Sequence, residues 1–190
     1  IAIPTYNRSA NLALLLSALA PQLVTENRVE LLISDNCSPD DTPAVVERFV
    51  QAGLRCHYMR NEENIGADRN FLQCYALAAG DYVWFFGDDD VLFPGSISTI
   101  LRYLEERTFD LVYLAPVGFI KDPNERGMAN PSPRTREFHD AGGFVHAVGL
   151  KGDLILITAL VINKRKVEAE PHPPFADGID TYLPQLSWVF

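Results

Sequence analysis

Residues Tyr82-Val83-Trp84-Phe85-Phe86 form an unbroken apolar run, and Gly87-Asp88-Asp89-Asp90 follows at once. Successive side chains of a strand point to opposite faces, so a run that is apolar throughout needs cover on both. That requirement puts the strand inside a sheet flanked by helices. Its sudden end in carboxylates marks where the sheet meets solvent.

The preceding sequence supplies the rest of such a sheet. Ile1-Ala2-Ile3 ends a strand at Pro4, and Ser9 is placed to cap a helix whose Leu12, Leu15, Leu16 and Leu19 form one apolar stripe before Pro21. Val29 to Ser34 reads as the next strand. Asp41 or Thr42 caps a helix with Pro43 at its start that stops near Gly53. Leu54 to Met59 is a third strand, a helix spans about Asp68 to Ala79, and Asp81 to Phe86 is the fourth strand. A further helix runs to about Glu106, and Leu111 to Leu114 is again strand-like. This alternation is the sequence form of βαβ units, and the expected class is α/β, a Rossmann-like, mostly parallel sheet flanked by helices. Past Pro116 the rhythm weakens: Lys121 to Arg136 reads as a loop, Leu154 to Ile162 as a buried strand or helix, and Glu170 to Phe175 as turns.

The chain of 190 residues suits one domain. A net charge of -9 speaks against nucleic acid as a partner, since phosphate backbones are bound by Lys and Arg, and it implies that any phosphate ligand arrives with a cation. Cys37, Cys56 and Cys74 are too widely spaced for a CxxC pair and odd in number, which favours a reducing cytoplasm. The run Leu154 to Ile162 is about half of the roughly 20 residues that cross a bilayer. Because the first residues already lie in a strand and Leu186 to Phe190 stop inside an apolar pattern, the chain is expected to be a fragment truncated at both ends.

Ligands of open α/β sheets bind beyond the carboxyl ends of the strands. Those positions hold Thr5-Tyr6-Asn7-Arg8, Asp35-Asn36, Asn61 to Asn64 and Asp88-Asp89-Asp90. Three adjacent carboxylates repel one another unless a cation or hydrogen bonds offset them. A Mn²⁺ or Mg²⁺ ion held by one or two of them, with diphosphate oxygens filling its other positions, meets that need. The alternative is that the aspartates cap the following helix. His57, His139, His146 and His172 show no ligand spacing, although His139 or His146 could approach an acceptor. Lys164-Arg165-Lys166 is either a solvated face or a small patch for anionic lipid.

In order and spacing, Pro4-Thr5-Tyr6-Asn7-Arg8, Leu32 to Ser38 with Asp40-Asp41-Thr42, Asn64-Ile65-Gly66-Ala67-Asp68-Arg69-Asn70, and Gly80-Asp81-Tyr82 leading into Gly87-Asp88-Asp89-Asp90 resemble family 2 glycosyltransferases of the GT-A fold, in particular the abequosyltransferase-like subgroup that builds bacterial surface polysaccharide. The resemblance covers about the first half of the chain. It implies an inverting transfer of a sugar from a nucleotide-diphosphate sugar to a saccharide or lipid-linked acceptor, at the cytoplasmic side with peripheral contact to the inner face of the membrane. Residues 1–116 would bind the donor and 117–190 the acceptor. Pro4, Thr5, Tyr6, Asn7, Asp35 and Asn36 would line the nucleotide pocket, with Asp35 on the base, and Asn64, Gly66 and Arg69 its far wall, unless Arg69 pairs with a structural carboxylate. The usual acidic run is Asp-Ser-Asp-Asp; here Gly87 displaces its first position. Counting back from Pro94 puts Asp89 at the metal, Asp88 near the ribose or sugar, and Asp90 as a second ligand. Neither Asp177 nor Asp180 forms the family's usual downstream Glu-Asp pair, so each is a general base or, ahead of Thr181-Tyr182-Leu183, a helix cap. A sugar nucleotidyltransferase would carry a Gly-rich phosphate loop after the first strand, whereas no glycine precedes Gly53. The non-enzymatic alternative is a nucleotide-sugar-binding module or inactive remnant that lacks a working base.

Overall fold

A computed structural model describes residues 1–115, 136–148 and 157–169. Three short strands, β1 (Ala2–Thr5), β2 (Leu32–Asp35) and β3 (His57–Arg60), pair in parallel in the order β1-β2-β3. A second group, β4 (Tyr82–Trp84), β5 (Leu111–Tyr113) and β6 (Leu160–Asn163), is ordered β4-β6-β5, with β6 antiparallel to both neighbours. A parallel bridge between Ala2 and Phe85, with the Phe86 amide donating to the Ala2 carbonyl at 2.9 Å, joins the two groups. The sheet is therefore parallel on one side and antiparallel at β6. That strand, which comes from beyond residue 116, completes the part of the sheet that carries the acidic turn.

Alternation along the strands explains the layers. Ile3, Ile33, Trp84, Phe86 and Val161 face one core, into which α1 (Ser9–Leu23), α2 (Thr42–Gln51) and α4 (Ser96–Glu106) send Leu12, Leu15, Leu16, Leu19, Val46 and Ile97. Ala2, Leu32, Val83 and Phe85 face the other, against Phe71, Cys74 and Tyr75 of α3 (Ala67–Leu77). Phe71 and Phe85 stack there with centroids 3.8 Å apart. Burying both faces of β4 in this way removes each Phe almost wholly from water, and truncating either to Ala is worth about 3–5 kcal/mol. A smaller cluster sets Leu160 and Ile162 against Phe144 of α5 (Ala141–Val148).

Local signals and tertiary structure disagree at a few points. The first helix runs through Pro21 instead of ending before it, because Leu23, two residues further on, is buried and its packing offsets the lost backbone bond. Ser9 does not cap this helix with its side chain; its amide donates to Asp40 Oδ2 at 2.8 Å, and Asp40 Oδ1 accepts the Thr42 amide and hydroxyl at the start of α2. One carboxylate thus serves two helix N-termini. Burial pushes its acidity the other way, yet these donors hold the Asp40 carboxyl down at about 2. The span Leu154 to Ile162 is not one continuous strand: a 3-10 turn, Ile157–Ala159, precedes β6. No described helix is long and apolar enough to cross a membrane.

Candidate active site

Four loops meet at the carboxyl edge of β1 to β4. The Asn7 amide donates to Ser38 Oγ at 2.9 Å, the Asn61 amide to the Asp35 carbonyl at 2.8 Å, and Thr5 Oγ1 to Asp88 Oδ2 at 2.7 Å. Asn7 and Cys37, in the loops after β1 and β2, have φ values of 56° and 64°, the left-handed region that non-glycine residues seldom occupy. Backbone strain of this kind persists where surrounding bonds over-determine it, and here both positions lie at the edge where the loops converge.

One side of the edge is a neutral amide lattice. Asn36, buried, donates through Nδ2 to Asn64 Oδ1 at 2.8 Å and to the Gly66 carbonyl at 3.2 Å, while its Oδ1 accepts the Ile65 amide and Asn61 Nδ2. Asn70 accepts from Ser34 Oγ at 2.6 Å and donates to the Ser34 carbonyl at 3.0 Å, and Gln73 bridges Ser34 Oγ to Asn61 Oδ1. Gly66 stands at the start of α3 with φ 87° and ψ 158°, a conformation essentially closed to other residues. Asn36 and Asn64 hold that glycine between them. Asp35 is wholly buried: Oδ1 accepts the Ser38 amide at 2.8 Å, and Oδ2 accepts the Tyr58 hydroxyl at 2.7 Å and faces Arg60 Nε at 3.4 Å. Burial, and then the carboxylate beside it, push the Tyr58 hydroxyl well above its usual range. Tyr6, Asn7 and Arg69 are exposed, and no carboxylate among the described residues pairs with Arg69.

The other side is charged. Arg8 Nη1 lies 3.0 Å from Asp88 Oδ1 and 3.0 Å from Asp89 Oδ2. The Asp88 side chain is 7% exposed and that of Asp89 56% exposed. Asp90 makes no contact with Arg8; its Oδ2 accepts the Thr158 hydroxyl, whose oxygen in turn accepts the Gly87 amide at 2.8 Å. Burial raises the Asp88 carboxyl above its ordinary range against the pull of Thr5 and Arg8. Asp90 is raised as well, first by burial and then by Asp89, with Thr158 opposing. None of the three caps the next helix: α4 begins at Ser96 after Gly95 and has no acidic residue in its first turn.

Gly87 makes room for this turn. A methyl group placed on it would sit 3.0 Å from Asp89 Oδ1 and from Asp90 Oδ2, and 3.4 Å from Thr158 Oγ1. Two carboxylate oxygens and a hydroxyl thus border one small space, open on the exposed Asp89 side. This donor set fits a hard divalent ion that takes few protein ligands. No larger cage of three His, Cys, Asp or Glu residues exists among the described residues. Asp177 and Asp180 lie outside the described residues, as does His172.

A model of the family described as "Glycosyl transferase family 2" matches residues 1–154. The chain belongs to glycosyl transferase family 2. It is 40% identical over 106 residues to the abequosyltransferase RfbV of Salmonella typhimurium, a match covering 55% of this chain and 32% of that one. The chain therefore spans about a third of the length of this curated relative. Its fold is the GT-A type, shared with Staphylococcus aureus TarS in a complex with UDP at a TM-score of 0.71 and 18% identity, covering 98% of this chain and 52% of that one. A mannosyltransferase of Pyrobaculum calidifontis in complex with GDP-Man and Mn²⁺ superposes with a TM-score of 0.54 at 20% identity, over 60% of this chain and 34% of that one.

In this family 2 chain two side chains outside the expected set complete the charged side. Arg8 closes the Pro4-Thr5-Tyr6-Asn7-Arg8 motif, of which only the first four residues are expected to line the nucleotide pocket. Thr158 is a lone hydroxyl inside the apolar stretch Leu154 to Ile162, and that isolated polarity is the one signal in the sequence by which it could have been found. It is held by the Trp84 indole, which donates to the Thr158 carbonyl at 2.8 Å. Of the short basic run only Lys164 is buried, its Nζ donating to the Tyr75 and Ala78 carbonyls; Arg165 and Lys166 stay exposed and pair at the surface with Asp81 at 2.6 Å and Asp110 at 2.8 Å. His139 and His146 are exposed at either end of α5.

Proposed function

We propose that this chain carries out inverting transfer of a sugar from a nucleotide-diphosphate sugar to a saccharide or lipid-linked glycan, in bacterial surface polysaccharide synthesis. The observation that carries the reading is the space above Gly87, bordered by Asp89 and Asp90 at the carboxyl end of a strand buried on both faces. Relatives named for sugar transfer, and neighbours named for UDP and for GDP-Man with Mn²⁺, support it.

Asp89 and Asp90 would hold the Mn²⁺ or Mg²⁺ ion, which when bound stabilises the negative charge that develops on the departing diphosphate. Asp88, fixed by Thr5, faces the sugar or ribose. Tyr6, Asn7 and Arg69 are free to touch the nucleotide, whereas Asp35, Asn36 and Asn64 shape the wall that presents them. The acceptor hydroxyl attacks the anomeric carbon from the face opposite the diphosphate, and a carboxylate there, Asp180 or Asp177, takes its proton.

A thermal-shift screen with UDP, CDP, GDP and dTDP, each with and without Mn²⁺, tests the donor site, since a true ligand stabilises the fold by mass action. Metal-dependent binding of at least one is expected; indifference to all four sinks the proposal. Asp180→Asn is expected to lose transfer while keeping nucleotide affinity, and normal turnover in that variant would assign the proton transfer elsewhere.

A further inference from the structure

We propose that Arg8 is the resident counter-cation of the acidic turn, and that a divalent ion binding at Asp89 competes with it for that carboxylate. The inference rests on the reading of Asp89 and Asp90 as the metal-binding pair and gives that site a built-in competitor. A single nitrogen, Nη1, bridges Asp88 and Asp89 at 3.0 Å each. The two arms of this bridge differ. On the Asp88 side the carboxylate is buried and also held by Thr5, whereas on the Asp89 side both partners are more than half exposed. Exposed ion pairs contribute little, so the Asp89 arm is the one that opens.

Asp89 meanwhile directs its other oxygen, Oδ1, to the space above Gly87. A cation arriving there finds one oxygen of Asp89 ready and the other engaged by a guanidinium that repels it at short range. Release of the Asp89 arm leaves Arg8 anchored on Asp88, and its freed N–H groups then face the same opening as the ion. A planar guanidinium suits two phosphate oxygens at once, so the displaced arm is matched to the diphosphate of the donor. Metal and donor binding would in this way be linked through one side chain.

The test needs no nucleotide and no turnover. Free Mn²⁺ is followed by electron paramagnetic resonance during titration of the full chain, Arg8→Gln, Arg8→Lys, Asp89→Asn and Asp89→Asn/Arg8→Gln, each checked for folding by circular dichroism. Arg8→Gln is expected to bind Mn²⁺ about tenfold more tightly than the parent, the scale of one unit charge removed at close range in a solvated site. Arg8→Lys should fall between them, because a lysine keeps the charge but holds it on a shorter and more flexible stem. With Asp89→Asn present, Arg8→Gln should bring no gain. Unchanged or weaker Mn²⁺ binding in Arg8→Gln, a gain that persists without Asp89, or no binding by either protein overturns the proposal. If Arg8→Gln does not fold, Arg8→Lys decides alone, and affinity equal to the parent overturns it. Failure of the transferase reading shows separately, as absence of nucleotide binding in the parent protein.

Discussion

The two sides of the carboxyl edge solve opposite problems. Around Asn36, Asn61, Asn64 and Asn70 every contact is neutral, and the principal amide groups find partners, so the lattice leaves little for a ligand to complete. Around Asp88, Asp89 and Asp90 the charges are offset unevenly: one carboxylate is buried, one is exposed, and one is turned to a hydroxyl. A saturated network fixes shape, because losing any member strands a buried polar group. An incompletely offset charge is available to a ligand, because a new cation or phosphate improves on what is there. The comparison teaches that the amide side serves architecture, while the acidic turn keeps charge that a ligand can still complete.

The largest effect should come from the charged side. Asp89→Asn is expected to lower kcat about 10²–10³-fold, the usual cost of removing one group that stabilises developing charge. Its melting temperature should hardly change, since the residue is exposed and its ion pair weak. Steady-state kinetics with a thermal melt would break the comparison if stability fell and activity did not.

Next, Asn70→Ala is expected to do the reverse. It leaves the Ser34 hydroxyl and carbonyl without their buried partner and should destabilise by about 1–3 kcal/mol, read by urea unfolding. Turnover, measured where the variant remains folded, should fall far less than in Asp89→Asn.

The smallest effect sharpens the contrast through pH. The folded-state pKa of Asp90 is raised by burial and by Asp89, so the folded protein favours its protonated form. A raised carboxyl contributes stability below its unfolded value of about 4 and loses it as pH rises through the folded value. Asp90→Asn, which keeps an acceptor for Thr158, should therefore melt a few degrees higher than the parent at neutral pH without metal. The gain should disappear below about pH 4. A variant that melts lower at neutral pH would show that the carboxylate stabilises the turn.

Much of this was legible in the chain because periodicity is local. The stripe Leu12, Leu15, Leu16 and Leu19, and the alternating residues of Tyr82 to Phe86, describe helix and strand within a few positions, and both take their places in the cores. Less legible were events that join distant segments. Nothing beside Pro21 announces that Leu23 is buried, and nothing beside Ser9 announces that Asp40, 31 residues away, accepts its amide. At the site, the acidic run was conspicuous by composition, but Arg8 meets it across 80 residues and Thr158 across 68.

Sequence alone determined the α/β class, because apolar spacing is a property of neighbouring residues, and the resemblance of its motifs pointed to the family. Only the tertiary structure decided that β6 runs antiparallel between β4 and β5, that Asn36 and Asn64 brace a glycine, and that Arg8 holds two of three aspartates. Those outcomes depend on which side chains arrive within hydrogen-bond reach once the sheet has formed, and no local pattern records that distance.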